Sequence, residues 1–225
     1  MKIKEIEKHI FNISEIFYSI QGEGTRAGMP CLFIRLQGCR LRCVWCDTPY
    51  SLEFDTVEHQ LSTLEIIDKI KSQSCKFIEF TGGEPLEQPE VIPLMGYLCD
   101  EGFTVAVETS GYLDVSALDT RIIKIMDIKC PDSKMSKKNK WTNIDYLTKN
   151  DEVKFVISSE KDYLWAKEIT EKYDLIEKTN AVLFSTAFGK LSNMELAEMI
   201  LRDSLQVRYQ LQLHKYIWHP NRRGV

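Results

Sequence analysis

Short apolar runs rich in β-branched and aromatic residues recur along the chain, at 31–36, 76–80, 103–107, 121–126, 152–157, 181–184 and 207–213. Runs of this length, bounded by polar or glycine-rich stretches, predict strands. Between several of them the spacing turns helical. Leu61, Leu64, Ile67 and Ile70 form a stripe behind Ser62 and Glu65, the serine and acid of an N-terminal capping box. Ser192 and Glu195 repeat that signature ahead of Leu196 and Ile200, and a third helix is predicted over 161–173. Strands alternating with helices imply βα units around a parallel sheet, whose strands are covered on both faces and therefore read as continuous apolar runs. The expected architecture is α/β, a partial or compact (β/α) barrel of about six parallel strands with flanking helices, formed by one domain over 1–225.

The polar and glycine-rich residues cluster where these strands end. GCRLRCVWCDT follows the first run, TGGEP the second, ETSG the third, DIKCP the fourth and STAFG the sixth, while the last carries QLHK. In barrel enzymes the C-terminal ends of the strands converge on one face, so these distant segments are expected to meet there. The stretch 129–143 is polar and rich in lysine and reads as a surface loop.

Composition excludes more than it selects. Of the 225 residues 44% are hydrophobic and 28% charged, enough apolar surface for a substantial core and too much for disorder. A net charge of −4 offers no positive field for a nucleic-acid backbone, so nucleic acid is an unpromising partner. No apolar stretch approaches a membrane span and the opening residues lack a secretory pattern, which predicts a cytoplasmic protein with no membrane contact. Seven cysteines argue for reduced thiols, and Cys31, Cys75, Cys99 and Cys130 are expected to be small buried hydrophobes.

Cys39, Cys43 and Cys46 stand apart, because the spacing C-x3-C-x2-C falls in a loop directly after a strand. Three thiolates so close can clamp one soft metal centre. By spacing alone that centre is either an iron–sulfur cluster with one open iron or a zinc site. Structural zinc wants a fourth protein ligand, and none lies nearby in sequence unless the fold recruits Cys130.

The triplet with Trp45 as its aromatic resembles the signature of the radical S-adenosylmethionine (SAM) superfamily, and TGGEP at 81–85 resembles that superfamily's glycine-rich second motif. A closer resemblance runs through EIFYSIQGEGTRAGMPCLFIRLQGCRLRCVWCDTPY, TGGEP, VETSG and QLHKYIWHPNRRGV, and is to the 7-carboxy-7-deazaguanine synthase family. It implies a radical SAM barrel, a 4Fe–4S cluster on the three cysteines, SAM bound at the open iron, and Mg2+. It further implies ring contraction of 6-carboxy-5,6,7,8-tetrahydropterin to 7-carboxy-7-deazaguanine with loss of ammonia. SAM is then regenerated at each turnover.

The resemblance also implies roles for single residues. Ile20, Gln21, Gly22 and Glu23, within a substrate segment at 14–30, together with Arg35 and Thr81, are expected to contact the pterin. An arginine inside an apolar strand needs a partner in any case, and its fork suits a carboxylate. Trp45, Gly82, Gly83, Glu84, Glu108, Asp127, Lys129 and Ser185 are expected around SAM, although Asp127 and Lys129 could equally form a structural ion pair. Thr48, in the cluster loop at 38–50, matches the Mg2+ ligand, and Asp47 either joins it or orients the loop. His214 is a site residue or a structural histidine. Val225, ending an active-site tail at 205–225, is expected to offer its carboxylate to the pterin.

Partners follow on the same footing: a small-molecule pterin, flavodoxin or ferredoxin as reductant, and a second copy in a homodimer. Lys134, Lys137, Lys138 and Lys140 are a solvated surface or a dock for an acidic electron donor. Two other readings remain open at this point, a glycyl-radical activating enzyme and a non-catalytic zinc-binding module.

Overall fold

A computed structural model describes residues 3–225. Nine strands are present among them, β1 (Ile10–Ile20), β2 (Pro30–Leu36), β3 (His59–Ser62), β4 (Phe77–Gly82), β5 (Thr104–Thr109), β6 (Ile123–Asp127), β7 (Glu152–Ile157), β8 (Ala181–Thr186) and β9 (Arg208–Gln210). They form one sheet in the order β3-β1-β2-β4-β5-β6-β7-β8-β9. From β2 through β4 to β9 every pairing is parallel, whereas β1 runs antiparallel to both of its neighbours. The parallel set therefore has seven strands rather than about six, and β1 was not among the expected strands. Its sequence mixes Asn12, Ser14, Glu15 and Ser19 among the apolar residues, so no unbroken run marks it.

The helices are α1 (Thr63–Lys71), α2 (Val91–Asp100), α3 (Glu160–Lys172), α4 (Leu175–Lys178), α5 (Asn193–Arg202) and α6 (His214–Ile217). Both expected capping boxes form, Ser62 with Glu65 and Ser192 with Glu195. Each such cap satisfies backbone donors that the first helical turn leaves free, worth about 1 kcal/mol. In α1 the buried residues are Thr63, Ile66, Ile67 and Ile70, while Leu64 is exposed, so the expected stripe is rotated by part of a turn. The region 129–143 is also more structured than a surface loop, since Cys130, Ser133 and Asn143 are buried along its short 3-10 turns. Among the described residues no helix is long and apolar enough to cross a membrane.

The apolar core lies between the outer face of the sheet and the helices. It has one portion around Phe80, Val91, Leu94 and Leu98, and another around Phe155, Tyr163, Phe184 and Leu196. The other face is polar and concave. Gln21 bonds Glu79 of β4 while, three residues on, the Gly24 amide donates to Gln210 of β9 at 2.6 Å. A flat sheet would hold β4 and β9 about 24 Å apart, five strand spacings. Three residues of backbone reach only about 10 Å. Side chains make up the rest of that span, and because residues of β2, β4, β5, β6, β7 and β8 also line one common cavity, the sheet is curled, with residues 21–26 spanning the opening of an incomplete barrel.

Candidate active site

Alternation along each strand sends every second side chain to the concave face. On β2 these are Phe33 and Arg35, on β4 Glu79 and Thr81, and on β7 Lys154 and Val156; with Glu108 and Asp127 they line a cavity of about 750 Å³. Segment 21–26 forms its floor. Thr25 and Arg26 are anchored to Glu152 at the start of β7, Arg26 at 3.1 Å, and the Leu213 amide donates to the Gly22 carbonyl at 3.0 Å. Gly22 has no room for a side chain, because a Cβ there would stand 2.4 Å from His214 Nδ1.

Charges dominate the interior. Lys154 Nζ reaches Glu23 at 2.9 Å, pairs with Glu108, and lies 3.9 Å from Asp127. Burial disfavours the ammonium, but these carboxylates outweigh burial and hold Lys154 firmly protonated. Burial likewise pushes Glu23 up, yet Lys154 and the Gln212 hydrogen bond prevail and hold it at about 2. At Glu79 the attraction of Lys154 is outweighed: burial, then repulsion from Glu108 and Glu23, raises its pKa well above the usual carboxylate range. A protonated Glu79 can still accept from Gln21 Nε2, and the Gln21 Oε1 accepts from the Glu23 amide at 3.0 Å, so both ends of that amide are fixed.

A second polar group gathers at the wall. Arg35 Nε donates to Glu15 at 2.7 Å, and Tyr50 Oη donates to the same Glu15 oxygen at 2.8 Å. The chain end folds over this group. Arg223 lies 3.8 Å above the Tyr50 ring and bonds Glu58 at 2.8 Å, and 220–225 line the cavity.

At the rim, Cys39, Cys43, Trp45, Cys46 and Thr48 all line the cavity, and Cys130 does not. Cys130 is buried elsewhere in the apolar core. Among the described residues no three His, Cys, Asp or Glu side chains close around a single metal ion. A cuboidal cluster instead takes one thiolate at each of three separate irons, and soft thiolates are the donors it uses. Burial raises the thiols of Cys39, to about 12, and of Cys43, and binding to iron would replace their protons. The loop is built on its base: the Gly38 amide donates to Ser51 O at 2.8 Å, the Cys39 amide to Leu52 O at 2.9 Å, and the Glu84 amide to Gly38 O at 2.9 Å. Gly82 has φ +136°, with Leu36 O 2.2 Å from any Cβ, and a Cβ on Gly83 would meet Gly38 O at 2.4 Å. The two glycines thus let a strand end lie flush against the cysteine loop, leaving open space beside the thiols for a cosubstrate. The residues fit a three-thiolate cluster with one open corner.

Residues 33–130 match the radical SAM superfamily. The 7-carboxy-7-deazaguanine synthase of Chlorobaculum tepidum is 45% identical over 218 residues, 95% of this chain and 97% of that one. This chain is a member of the 7-carboxy-7-deazaguanine synthase family. The synthase of Koribacter versatilis is 39% identical over 227 residues, covering 95% of this chain and 99% of its own. That of Clostridium acetobutylicum is 37% identical over 220 residues, covering 96% and 99%. Among solved structures, QueE from Escherichia coli shares the fold with a TM-score of 0.74 at 21% identity, over 93% of this chain and 97% of that one. As a radical SAM enzyme of this synthase family, the chain uses a 4Fe–4S cluster and SAM, with Mg2+.

Seen as a member of the synthase family, the chain brings most of its expected site residues to one cavity. Ile20, Gln21, Gly22, Glu23, Arg35, Thr81, His214 and Val225 all line it, as do Gly82, Gly83, Glu108, Asp127 and Lys129. Lys129 and Asp127 do form an ion pair, at 2.8 Å, and still face the cavity. Two residues fall elsewhere. Glu84 is fully buried beneath the rim, its carboxylate accepting from Thr109 Oγ1 at 2.7 Å and the Ser110 amide at 2.8 Å. Ser185 is buried on β8, and Thr186 and Ala187 line the cavity instead, a one-residue shift that changes the face of a strand. His214 sits at the start of the short helix α6 rather than at a strand end. Sequence reasoning missed Glu15, Glu79 and Lys154, although each is a charge set in an apolar run, the signal that had singled out Arg35.

Proposed function

We propose that this chain converts 6-carboxy-5,6,7,8-tetrahydropterin to 7-carboxy-7-deazaguanine with release of ammonia, as a carbon–nitrogen lyase that uses SAM catalytically and requires Mg2+. The observation that carries the reading is one cavity with two chemistries. Its floor and wall present an oriented amide, a carboxylate and a guanidinium, and its rim presents three thiols. When bound, the cluster and SAM supply the one-electron chemistry that starts the rearrangement.

The chain's own residues bind and orient. Gln21, fixed at both ends of its amide, and Glu23, held ionised by Lys154, match the donors and acceptors of a pterin ring. Arg35 spends its Nε on Glu15, which leaves the two terminal nitrogens for a bidentate grip on the substrate carboxylate. Thr81 and His214 flank the same space, and the Val225 carboxylate closes it from the chain end. Around SAM the reading places Trp45, Gly82, Gly83, Glu108, Asp127 and Lys129. Thr48, whose Oγ1 lies 4.0 Å from Cys46 Sγ, would hold Mg2+ together with substrate oxygens, a donor set that suits a hard cation. Closure by the tail excludes water from a reactive site.

The reading extends to a cytoplasmic enzyme that works as a homodimer and is reduced by flavodoxin or ferredoxin. Exposed Leu211, Tyr216 and Ile217 beside the edge strand β9 support a second copy. For the donor, Lys134, Lys137 and Lys138 are the freer lysines, because Lys140 is paired with Asp114. The test is anaerobic reconstitution followed by incubation with the carboxytetrahydropterin, SAM, Mg2+ and dithionite. Deazaguanine product with SAM recovered intact is expected; SAM cleavage without product would reject the substrate, and zinc in place of iron would reject the enzyme.

A further inference from the structure

Lys154 stands in the middle of β7 with only 7% of its side chain exposed. Its ammonium meets carboxylates from three elements: Glu23 of the floor at 2.9 Å, Glu108 of β5, and Asp127 of β6 at 3.9 Å. Beyond Asp127 stands Lys129 at 2.8 Å, whose charge acts on the Cys43 thiol. On the near side Glu23 is shared, its Oε2 accepting also from Gln210 at 2.8 Å and its Oε1 from Gln212 at 3.0 Å. A chain of alternating charges therefore runs from floor to rim, and Lys154 is its link between the two.

We propose that Lys154 is a positioning residue that couples the two ends of the cavity, so that occupation of Glu23 by the pterin tightens the binding of SAM at the Glu108 and Asp127 side. This rests on the function proposed above. One buried positive charge is divided among three carboxylates. A ring N–H that binds Glu23 satisfies part of its charge, and the ammonium then spends more of its attraction on Glu108 and Asp127. Carboxylates already fixed by an ion pair lose less freedom when a second ligand meets them, which is positive cooperativity by preorganisation. A lysine with a merely structural role would weaken both ligands when removed and leave their mutual effect unchanged.

The ratio of SAM dissociation constants without and with saturating carboxytetrahydropterin reads this directly, measured by equilibrium dialysis on the cluster-reconstituted chain without reductant. In the wild type the pterin is expected to tighten SAM roughly tenfold, within the usual range of such couplings. In Lys154→Met the ratio should fall to within about twofold of one while each ligand still binds alone, and Lys154→Arg should restore most of it. A Lys154→Met protein that keeps the wild-type ratio, or a wild type with no tightening, overturns the proposal. If Lys154→Met does not fold, Glu23→Gln decides, read at pterin concentrations that dialysis of the pterin itself shows to saturate that variant: a ratio near one with the pterin bound supports the coupling, and a wild-type ratio overturns it. A wild type that binds SAM but not the pterin would instead overturn the substrate reading, a separate failure.

Discussion

Replacing Gly83 by alanine puts a methyl group 2.4 Å from Gly38 O, 2.6 Å from Ser51 O and 2.7 Å from Gly38 C. All three are backbone atoms, so no rotamer change relieves the clash. Real Cβ atoms essentially never come closer than 3.0 Å, so the base of the cysteine loop must retreat by at least about 0.6 Å. The retreat strains the hydrogen bonds that fasten the same segments, Gly83 N to Leu36 O at 3.1 Å and Glu84 N to Gly38 O at 2.9 Å. Overpacking of this kind costs about 1–3 kcal/mol, which for a chain of this size lowers the melting temperature by roughly 2–12 °C. The functional cost is larger, because a misplacement near 1 Å can cost about 100-fold at a reacting centre. Gly83→Ala should therefore fold, hold less iron and sulfide after reconstitution, and bind SAM at least about tenfold more weakly. Gly96→Ala is the control, since nothing lies within 4 Å of a Cβ there and helix α2 gains a better helix former. A Gly83→Ala protein with the cluster content and SAM affinity of Gly96→Ala would refute the reasoning that the second glycine exists to seat the cysteine loop.

Further predictions concern the wall, the tail and the surface. Glu15→Gln weakens the charge-assisted anchor that orients Arg35 and Tyr50, so KM for the pterin should rise about tenfold with kcat little changed; steady-state kinetics with the pterin varied check this, and an unchanged KM contradicts it. Residues added after Val225 should raise KM sharply while iron content stays constant, since 220–225 line the cavity; unchanged kinetics would reject a role for the terminal carboxylate. Charge reversal at Lys134, Lys137 and Lys138 should slow reduction by flavodoxin and leave reduction by dithionite unaffected. Equal slowing with both donors would point to damage at the cluster rather than to a docking surface.

What could be read in advance depended on how local the cause was. The capping boxes at Ser62 and Ser192 and the bounds of β7 depend on neighbouring residues, and the structure reproduces them. Strand β1 depends on pairing with β2 and β3, so its polar residues hid it. Helix α2 carries Pro93 in its first turn and Gly96 within, against the usual signals, and is held by burying Val91, Leu94, Met95 and Leu98. In the site, motif residues at strand ends were legible because the fold gathers strand ends. Glu84 was misjudged because the motif does not show which side of the backbone a side chain takes, and here it braces Thr109 and Ser110. Lys154 and Glu79 belong to no motif and Glu15 only opens the run EIFYSIQGEG; all three acquire meaning through partners distant in sequence, up to 131 residues away for Lys154 with Glu23.

Three thiols that hold iron and sulfide and leave one iron for SAM are the centre of the proposed chemistry. Electron paramagnetic resonance of the anaerobically reduced protein, recorded with and without SAM on samples analysed for iron and sulfide, tests this most directly. About four irons and four sulfides per chain are predicted for a cuboidal cluster, together with a cluster signal that changes when SAM is added. Zinc in place of iron, or a full cluster whose signal is indifferent to SAM, would contradict it.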